Sequence, residues 1–408
     1  MTSVWDTPER KELRASVRGF VEREILPGLD TWEREGSLPR ELHKKAGELG
    51  LLGIEYPESA GGEGGSIIDT VIVGEEIHLA GASGGLWASL FTCGIALPHI
   101  IASGNQDQIE RWAKPTLRGD LIGSLAITEP GGGSDVGHLT TTAVRDGDDF
   151  IINGAKTFIT SGCRADFVVT AVRTGGAGAA GVSLIIVPTD TPGFTVSRKL
   201  EKMGWLASDT AELSYVDVRV PAANLVGGEN TGFAQIANAF VSERVGLAVQ
   251  AYALAQRALD LTVQWCRDRE TFGRPLISRQ KVQMTLTEMA QRVDVSRTYT
   301  RALVERFVDA SRATGPEEAA RVTTQGTGSG AIEHSDQNLI AQVCFAKNNA
   351  VETAEWVANQ AVQLHGGMGY MRESEVERIY RDVRIIGIGG GTNEILTMLA
   401  SKVLGYQS

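Results

Sequence analysis

The spacing of apolar residues changes twice along this chain, and the order of those changes limits the fold more than any single motif. From Thr7 to about Leu121 they recur three and four residues apart, as in Leu13, Val17, Phe20 and Val21, the period of helices packed on one face. Beyond Gly123 short β-branched and aromatic runs take over, among them Phe150 to Ile152, Lys156 to Thr160, Phe167 to Val172, Val182 to Val187 and Ala211 to Val220, stopping at Pro221. Helical spacing returns at Ile236 and holds to the end. Helices, an all-β middle and helices again are incompatible with alternating βαβ units, and predict a mainly α chain with a central β-domain. The expected boundaries are 1–122 for an N-terminal helical domain, 123–234 for the β-domain and 235–408 for a C-terminal helical bundle.

Local signals punctuate these regions. Breaks are expected at Pro27-Gly28 and Tyr56-Pro57, and a loop over Gly61 to Gly65. Asn153-Gly154 reads as a two-residue hairpin turn. The stretch Ala313 to Gln337, rich in Gly, Ser, Thr and Glu, reads as an exposed, mobile loop.

A chain of 408 residues exceeds the size at which one core stops growing, so several domains and room for a large cofactor are expected. The net charge of −11 argues against nucleic acid or an anionic membrane surface as the main partner. Polyanionic small molecules stay open, because a few placed arginines and helix N-termini can hold them. Cys93, Cys163, Cys266 and Cys344 lie far apart with no Cys-x-x-Cys pair, which fits a reducing compartment better than a zinc site or a disulfide framework. Met1 to Arg14 lacks the apolar segment of a signal peptide, and no run approaches the roughly 20 apolar residues of a membrane span, so a cytoplasmic protein without membrane insertion is expected.

Four motifs carry chemistry. In Leu125-Ala126-Ile127-Thr128-Glu129-Pro130-Gly131-Gly132-Gly133-Ser134-Asp135 the glycines let backbone N–H groups approach an anion while Thr128 and Ser134 offer hydroxyls. Its spacing is not that of a dinucleotide fingerprint, and on its own it reads equally well as a polar turn. Further along stand Phe158-Ile159-Thr160-Ser161, then Arg269-Glu270-Thr271-Phe272-Gly273 followed by Gln280, and Gln363-Leu364-His365-Gly366-Gly367-Met368-Gly369-Tyr370. In this order and at these separations the motifs resemble those of the flavin-dependent acyl-CoA dehydrogenases.

The resemblance implies an N-terminal helical domain, a β-barrel-like middle domain and a C-terminal four-helix bundle, assembled as an obligate dimer or, as usual in the family, a homotetramer built as a dimer of dimers. It implies FAD held by Leu125, Ile127, Thr128, Gly133 and Ser134, with Phe158 covering one flavin face in place of the usual Trp, beside Ile159 and Thr160. Arg269, Thr271, Phe272 and Gln280 would cross a dimer interface to the neighbouring subunit's FAD, and Gln363, Leu364, Gly366 and Gly367 would hold its adenosine end. His365 is expected only to pack or hydrogen-bond near the cofactor.

Removing hydrogen from the Cα–Cβ bond of an acyl thioester needs a base for the α-proton, a hydride acceptor, here flavin N5, and donors for the enolate-like oxygen. In many relatives the base is a Glu in a loop near the C-terminus. Here that loop reads Ile388-Gly389-Gly390-Gly391-Thr392-Asn393-Glu394-Ile395, and Gly390 stands at the position of the Glu. Upstream, Phe240, Glu243, Leu247, Leu254, Ala258, Leu261 and Trp265 fall close to one helical stripe, which sets a carboxylate on a face bound for the core. An internal ion pair with Arg244 would explain it. The resemblance points elsewhere: Ser242-Glu243-Arg244 aligns with the place from which isovaleryl- and long-chain-type enzymes supply the base when the loop Glu is absent. Glu243 is therefore expected as the base, with the Gly390 N–H donating to the thioester oxygen. The resemblance also implies that Gly391 gives the thioester room, that Ser134, Phe240 and Arg244 face the substrate, and that Thr392 and the rival carboxylate Glu394 lie beside the FAD.

The expected activity is FAD-dependent oxidation of an acyl-CoA to the trans-2-enoyl-CoA, as in fatty-acid β-oxidation, with electrons passing to an electron-transfer flavoprotein. An acyl-CoA oxidase and a catalytically inactive FAD-binding scaffold are the rival readings. The tail pocket is expected around Trp87 to Leu97, with branched and longer acyl chains among the candidates.

Overall fold

The computed structural model describes residues 3–314 and 334–406. Its first region is helical. Pro8–Phe20 runs through a widened turn at Val21–Ile25 into Leu26–Glu35 without a break. The break expected at Pro27-Gly28 is thus absent, because Pro27 falls in the first turn after the widened one, where its missing N–H costs no helical bond. Ile67–Leu79 starts with a reciprocal cap between Ser66 and Asp69. Glu75 on this helix is 1% exposed, yet it accepts from Tyr252 Oη at 2.7 Å and Arg301 Nη2 at 2.6 Å, and so binds the N-terminal helices to the C-terminal ones.

The apolar stretch Gly84–Ser103 reaches the length and hydropathy of a membrane span, contrary to the sequence reading. It is two helices, Gly84–Leu90 and Cys93–Ser103, separated at Phe91 and Thr92 and mostly packed in the interior.

Seven strands form one curled sheet: β1 (Gly123–Ala126), β2 (Thr142–Asp146), β3 (Asp149–Thr160), β4 (Phe167–Arg173), β5 (Val182–Pro188), β6 (Phe194–Lys199) and β7 (Thr210–Pro221). Their order is β1-β4-β2-β3-β7-β6, with β5 paired on β4. The hairpin predicted at Asn153-Gly154 is not there. The turn sits at Gly147, while Gly154 is a bulge within β3 at φ 149°, where an added Cβ would lie 2.5 Å from Thr141 Oγ1. The Asn153 side chain instead exchanges hydrogen bonds with Asp217 across to β7.

The third region starts at Gly232, four residues before the predicted Ile236. Gly232–Asp268 is its central helix, buried on every side from Ala248 to Ala255, where four alanines let neighbours approach closely. Gln280–Thr314 and His334–His365 pack along it, and Asn393–Val403 lies on the last through Cys344, Leu396 and Ala400. The predicted loop Ala313 to Gln337 is helical at both ends, up to Thr314 and from His334; its middle lies outside the described residues.

Candidate active site

Glu243 and the glycine turn meet. The Glu243 side chain is half-buried; its Oε2 is sealed from solvent, and neither oxygen has a hydrogen-bond partner among the described residues. Burial pushes its pKa up to about 7, against the opposing pull of Arg244 and Lys347. The ion pair that would have made Glu243 a structural residue is not formed. Arg244, 9% exposed, instead donates from Nε to the Gly390 carbonyl at 3.2 Å, so it holds the turn, a contact the sequence reading did not anticipate. Its guanidinium also lies toward the face of the half-buried Phe240, 5.8 Å from the ring centre.

The turn is built for glycine. Gly390 and Gly391 have φ of 65° and 97°, a region that L side chains avoid. A Cβ on Gly390 would lie 2.4 Å from Leu247 Cδ1 and 3.6 Å from Glu243 Oε1. A side chain at 390 would therefore clash with Leu247 and lie against the Glu243 carboxyl, which reaches the turn from the neighbouring helix. The Gly390 N–H has no acceptor among the described residues and is free to donate to a ligand oxygen. Thr392 caps Asn393–Val403, its Oγ1 accepting from Ile395 N at 3.3 Å. Glu394 is exposed in the first turn, its pKa held down by its own backbone and Thr392, which suits an ionised surface group rather than a base.

A second cluster gathers where β1 meets β3. Leu125 and Ile127 are buried beneath it, in the same core that Ile236 and Phe240 join from the start of the central helix. Thr128 exchanges backbone and side-chain hydrogen bonds with Thr157, so its hydroxyl proton points into the protein and only the oxygen's acceptor face remains for a ligand. Glu129 and Gly132 close a tight turn over Pro130 and Gly131. A Cβ on Gly131 or Gly132 would meet nothing within 4 Å, and Gly133 and Ser134 are exposed beside them.

Beneath this turn lies a pair the sequence reading missed. Lys156 has no exposed surface and donates to Glu129 Oε1 at 2.9 Å and to the Ile127 carbonyl at 3.0 Å. Glu129 also accepts from Thr140 N, Thr140 Oγ1 and Thr141 N at 2.6, 2.7 and 2.9 Å. Burial opposes its charge, but Lys156 and these donors outweigh it and hold the carboxyl down at about 2.

Phe158 projects from β3 with φ 60° and 69% of its surface exposed, while Ile159 is 2% exposed and the Thr160 carbonyl accepts from Ser124 Oγ at 2.6 Å. Left-handed backbone on a bulky residue is strained, and here it sets an aromatic ring facing outward beside an open glycine turn. That arrangement fits a flat, anionic cofactor: a ring to cover it, amides for its phosphates and nothing in the way.

Arg269, Thr271, Phe272 and Gln280 are elsewhere. Glu243 and Arg269 stand 26 positions apart along one helix, about 39 Å at 1.5 Å per residue. The Gln363 to Gly367 segment, the end of His334–His365 and the 3-10 turn after it, joins this distant end: Trp265 Nε1 donates to the Leu364 carbonyl at 3.2 Å, and the Trp265 ring stacks on His365. His365 donates from Nδ1 to the Ala361 carbonyl of its own helix at 2.8 Å, and burial lowers its pKa, consistent with a packing role. Phe272 is 97% exposed, Gln363, Gly366 and Gly367 are exposed, and Arg279 occupies the Thr271 carbonyl and hydroxyl.

Sequence reasoning also passed over Lys347, which has no exposed surface and donates from Nζ to the Gly391 carbonyl at 2.8 Å. Its signal was legible, since it interrupts the buried stripe of Ala341, Cys344, Val351, Ala354 and Ala358 at helical spacing.

Comparison with known proteins agrees along the whole chain. The profiles for the acyl-CoA dehydrogenase N-terminal, middle and C-terminal domains match residues 7–120, 124–218 and 230–405. A Mycobacterium smegmatis crystal structure provisionally named an acyl-CoA dehydrogenase is 66% identical, covers 100% of both chains and superposes with a TM-score of 0.92. An acyl-CoA dehydrogenase of Bacillus subtilis is 35% identical over 400 residues, 98% of each chain. An acyl-CoA dehydrogenase of Bacillus anthracis, solved with FAD, is 29% identical with a TM-score of 0.89, covering 100% of this chain and 69% of the other. The chain belongs to the acyl-CoA dehydrogenase family, flavoenzymes that use FAD to dehydrogenate acyl-CoA thioesters.

Proposed function

We propose that this protein is an active acyl-CoA dehydrogenase in which Glu243 is the base, and that it passes electrons to an electron-transfer flavoprotein. The observation that carries the reading is the Glu243 carboxyl, sealed at Oε2, unpartnered and raised to about 7, set against a Gly390 where an added Cβ would touch the carboxyl and collide with Leu247. A buried carboxylate is costly unless it is paired, and an unpaired one poised near neutral pH suits proton abstraction.

Residues Leu125, Ile127, Thr128, Gly133, Ser134, Phe158, Ile159, Thr160, Thr392 and Glu394 would hold or flank the FAD, which when bound supplies the acceptor for the β-hydrogen and its electron pair. Glu243 takes the α-proton as the Cα–H bond breaks and its electrons move toward the thioester carbonyl. The Gly390 N–H donates to the oxygen on which charge develops. Leu247 packs at the Gly390 turn beside the carboxylate, and Gly391 leaves the thioester room. Arg244 serves the substrate by fixing the turn that meets it.

Arg269, Thr271, Phe272, Gln280 and the Gln363 to Gly367 segment lie too far from Glu243 to share its cofactor, about 39 Å along the helix. Their exposure supports contact with the FAD of a second subunit, and thus a homodimer or a dimer of dimers.

The test is anaerobic mixing of the yellow protein with short, branched, medium and long acyl-CoAs, following loss of flavin absorbance. Rapid bleaching by one class establishes dehydrogenation and names the acyl chain. If FAD stays oxidised against the whole panel, the reading fails and an inactive scaffold replaces it. Reoxidation of the bleached protein by air faster than by an electron-transfer flavoprotein would make it an oxidase.

A further inference from the structure

The helix His334–His365 carries a single lysine, Lys347, and it has no exposed surface. Among the described residues its Nζ makes one hydrogen bond, 2.8 Å to the carbonyl of Gly391. An ammonium out of water and held by one neutral oxygen is a poor stabilising device, and an apolar side chain would pack there at less cost. Stability does not account for it, but its position does.

The carbonyl it grips belongs to the residue after Gly390. Gly389, Gly390 and Gly391 have no Cβ to restrict them, and two of them adopt positive φ, so the turn's shape depends on outside anchors. Three are present. The Gly389 N–H donates to the Ile385 carbonyl at 2.9 Å, Arg244 holds the Gly390 carbonyl at 3.2 Å and Lys347 holds that of Gly391. Together they fix the backbone on both sides of the free Gly390 N–H. The charged and titratable groups around Lys347 are Arg244, Glu243, Cys344 and Glu394; those that face Glu243 are Arg244 from its own helix and Lys347 from the facing one.

We propose that Lys347 is a positioning residue: with Arg244 it clamps two successive carbonyls of the glycine turn, keeping the Gly390 N–H aimed at the acyl oxygen. The same cation is one of the two that pull the Glu243 pKa down against burial. This rests on Glu243 being the base.

The test compares the FAD-loaded wild-type protein with Lys347→Met and Lys347→Gln. Amide hydrogen exchange over residues 385–396, without substrate, reads the turn itself. In Lys347→Met it accelerates about tenfold. The pH midpoint of flavin reduction by the best acyl-CoA moves up by about one unit in both variants, because a cation near the carboxyl is gone, and the rate at neutral pH falls about tenfold. Melting temperature stays level or rises, which a merely structural lysine would not allow. The proposal is overturned if a yellow, folded variant shows wild-type exchange and an unshifted midpoint, or if both variants fail to fold and bind FAD. Glu243→Gln run in parallel separates the two ideas. Wild-type reduction by that variant defeats the base assignment, whereas the exchange readout still judges the clamp.

Discussion

Two buried lysines stand near two glutamates in this protein, and the two neighbourhoods are built in opposite ways. At the glycine turn after β1, Lys156 touches Glu129 at 2.9 Å, and the carboxylate also receives hydrogen bonds from Thr140 and Thr141. Its pKa sits at about 2. At the other turn, Lys347 grips a carbonyl instead, and Glu243 receives no hydrogen bond among the described residues, with a pKa raised to about 7. The same residue types give a fully satisfied joint in one place and a poised acid in the other. What separates them is whether the donors are spent on the carboxylate or on the backbone beside it.

If that contrast is right, the largest effect belongs to Glu243. Glu243→Gln should slow flavin reduction by about 10²–10⁴-fold with FAD retained, measured by stopped-flow absorbance. The same variant should melt at a higher temperature than the wild type at pH 8. A carboxyl whose folded pKa is raised binds its proton more tightly when folded. Stability is therefore fully present below the unfolded value of about 4.3 and declines as pH rises through about 7. A flat difference in melting temperature between wild type and variant from pH 5 to 8 would contradict the burial of this group.

Glu129→Gln should do the reverse. Breaking a buried pair leaves Lys156 uncompensated and should cost about 3–5 kcal/mol, seen in denaturant unfolding, together with weaker FAD retention. Here the sign also reverses: a depressed carboxyl contributes stability above its unfolded pKa that is lost as pH falls toward about 2.

Smaller effects sharpen the glycine side. Gly390→Ala should cost about 1–2 kcal/mol through its left-handed backbone and push on Leu247, lowering the rate of flavin reduction more than the affinity for FAD. Thr392→Ala should cost about 1 kcal/mol through the lost cap on Asn393–Val403, with only a slight change in the pH midpoint of reduction. A midpoint shift as large as that expected for Lys347→Met would mean that the two turns are less distinct than their hydrogen bonds indicate.

Much of this was legible in one dimension. The change of hydrophobic period marked the β region, since side-chain alternation and helical stripes are properties of consecutive residues. Pro221 ended β7 where its missing N–H predicted, and Glu243 stood out because a carboxylate on an apolar stripe is visible in sequence alone. Local signals failed where a distant partner outweighed them. Asn153-Gly154 has the chemistry of a turn, but Thr141 and Asp217 claim it as a bulge, and Pro27 does not stop its helix because a widened turn precedes it.

The sequence by itself determined the order of the domains, the residues that can carry acid–base chemistry and the vacancy at 390, because these depend on residue type and spacing. Only the tertiary structure decided which charges meet. Whether Arg244 neutralises Glu243 or turns to Gly390, and whether Lys347 reaches a carboxylate or a carbonyl, depends on contacts between residues 44 and 146 positions apart. Electrostatic energies change steeply over a few ångströms once water is excluded, and no spacing along the chain records those distances.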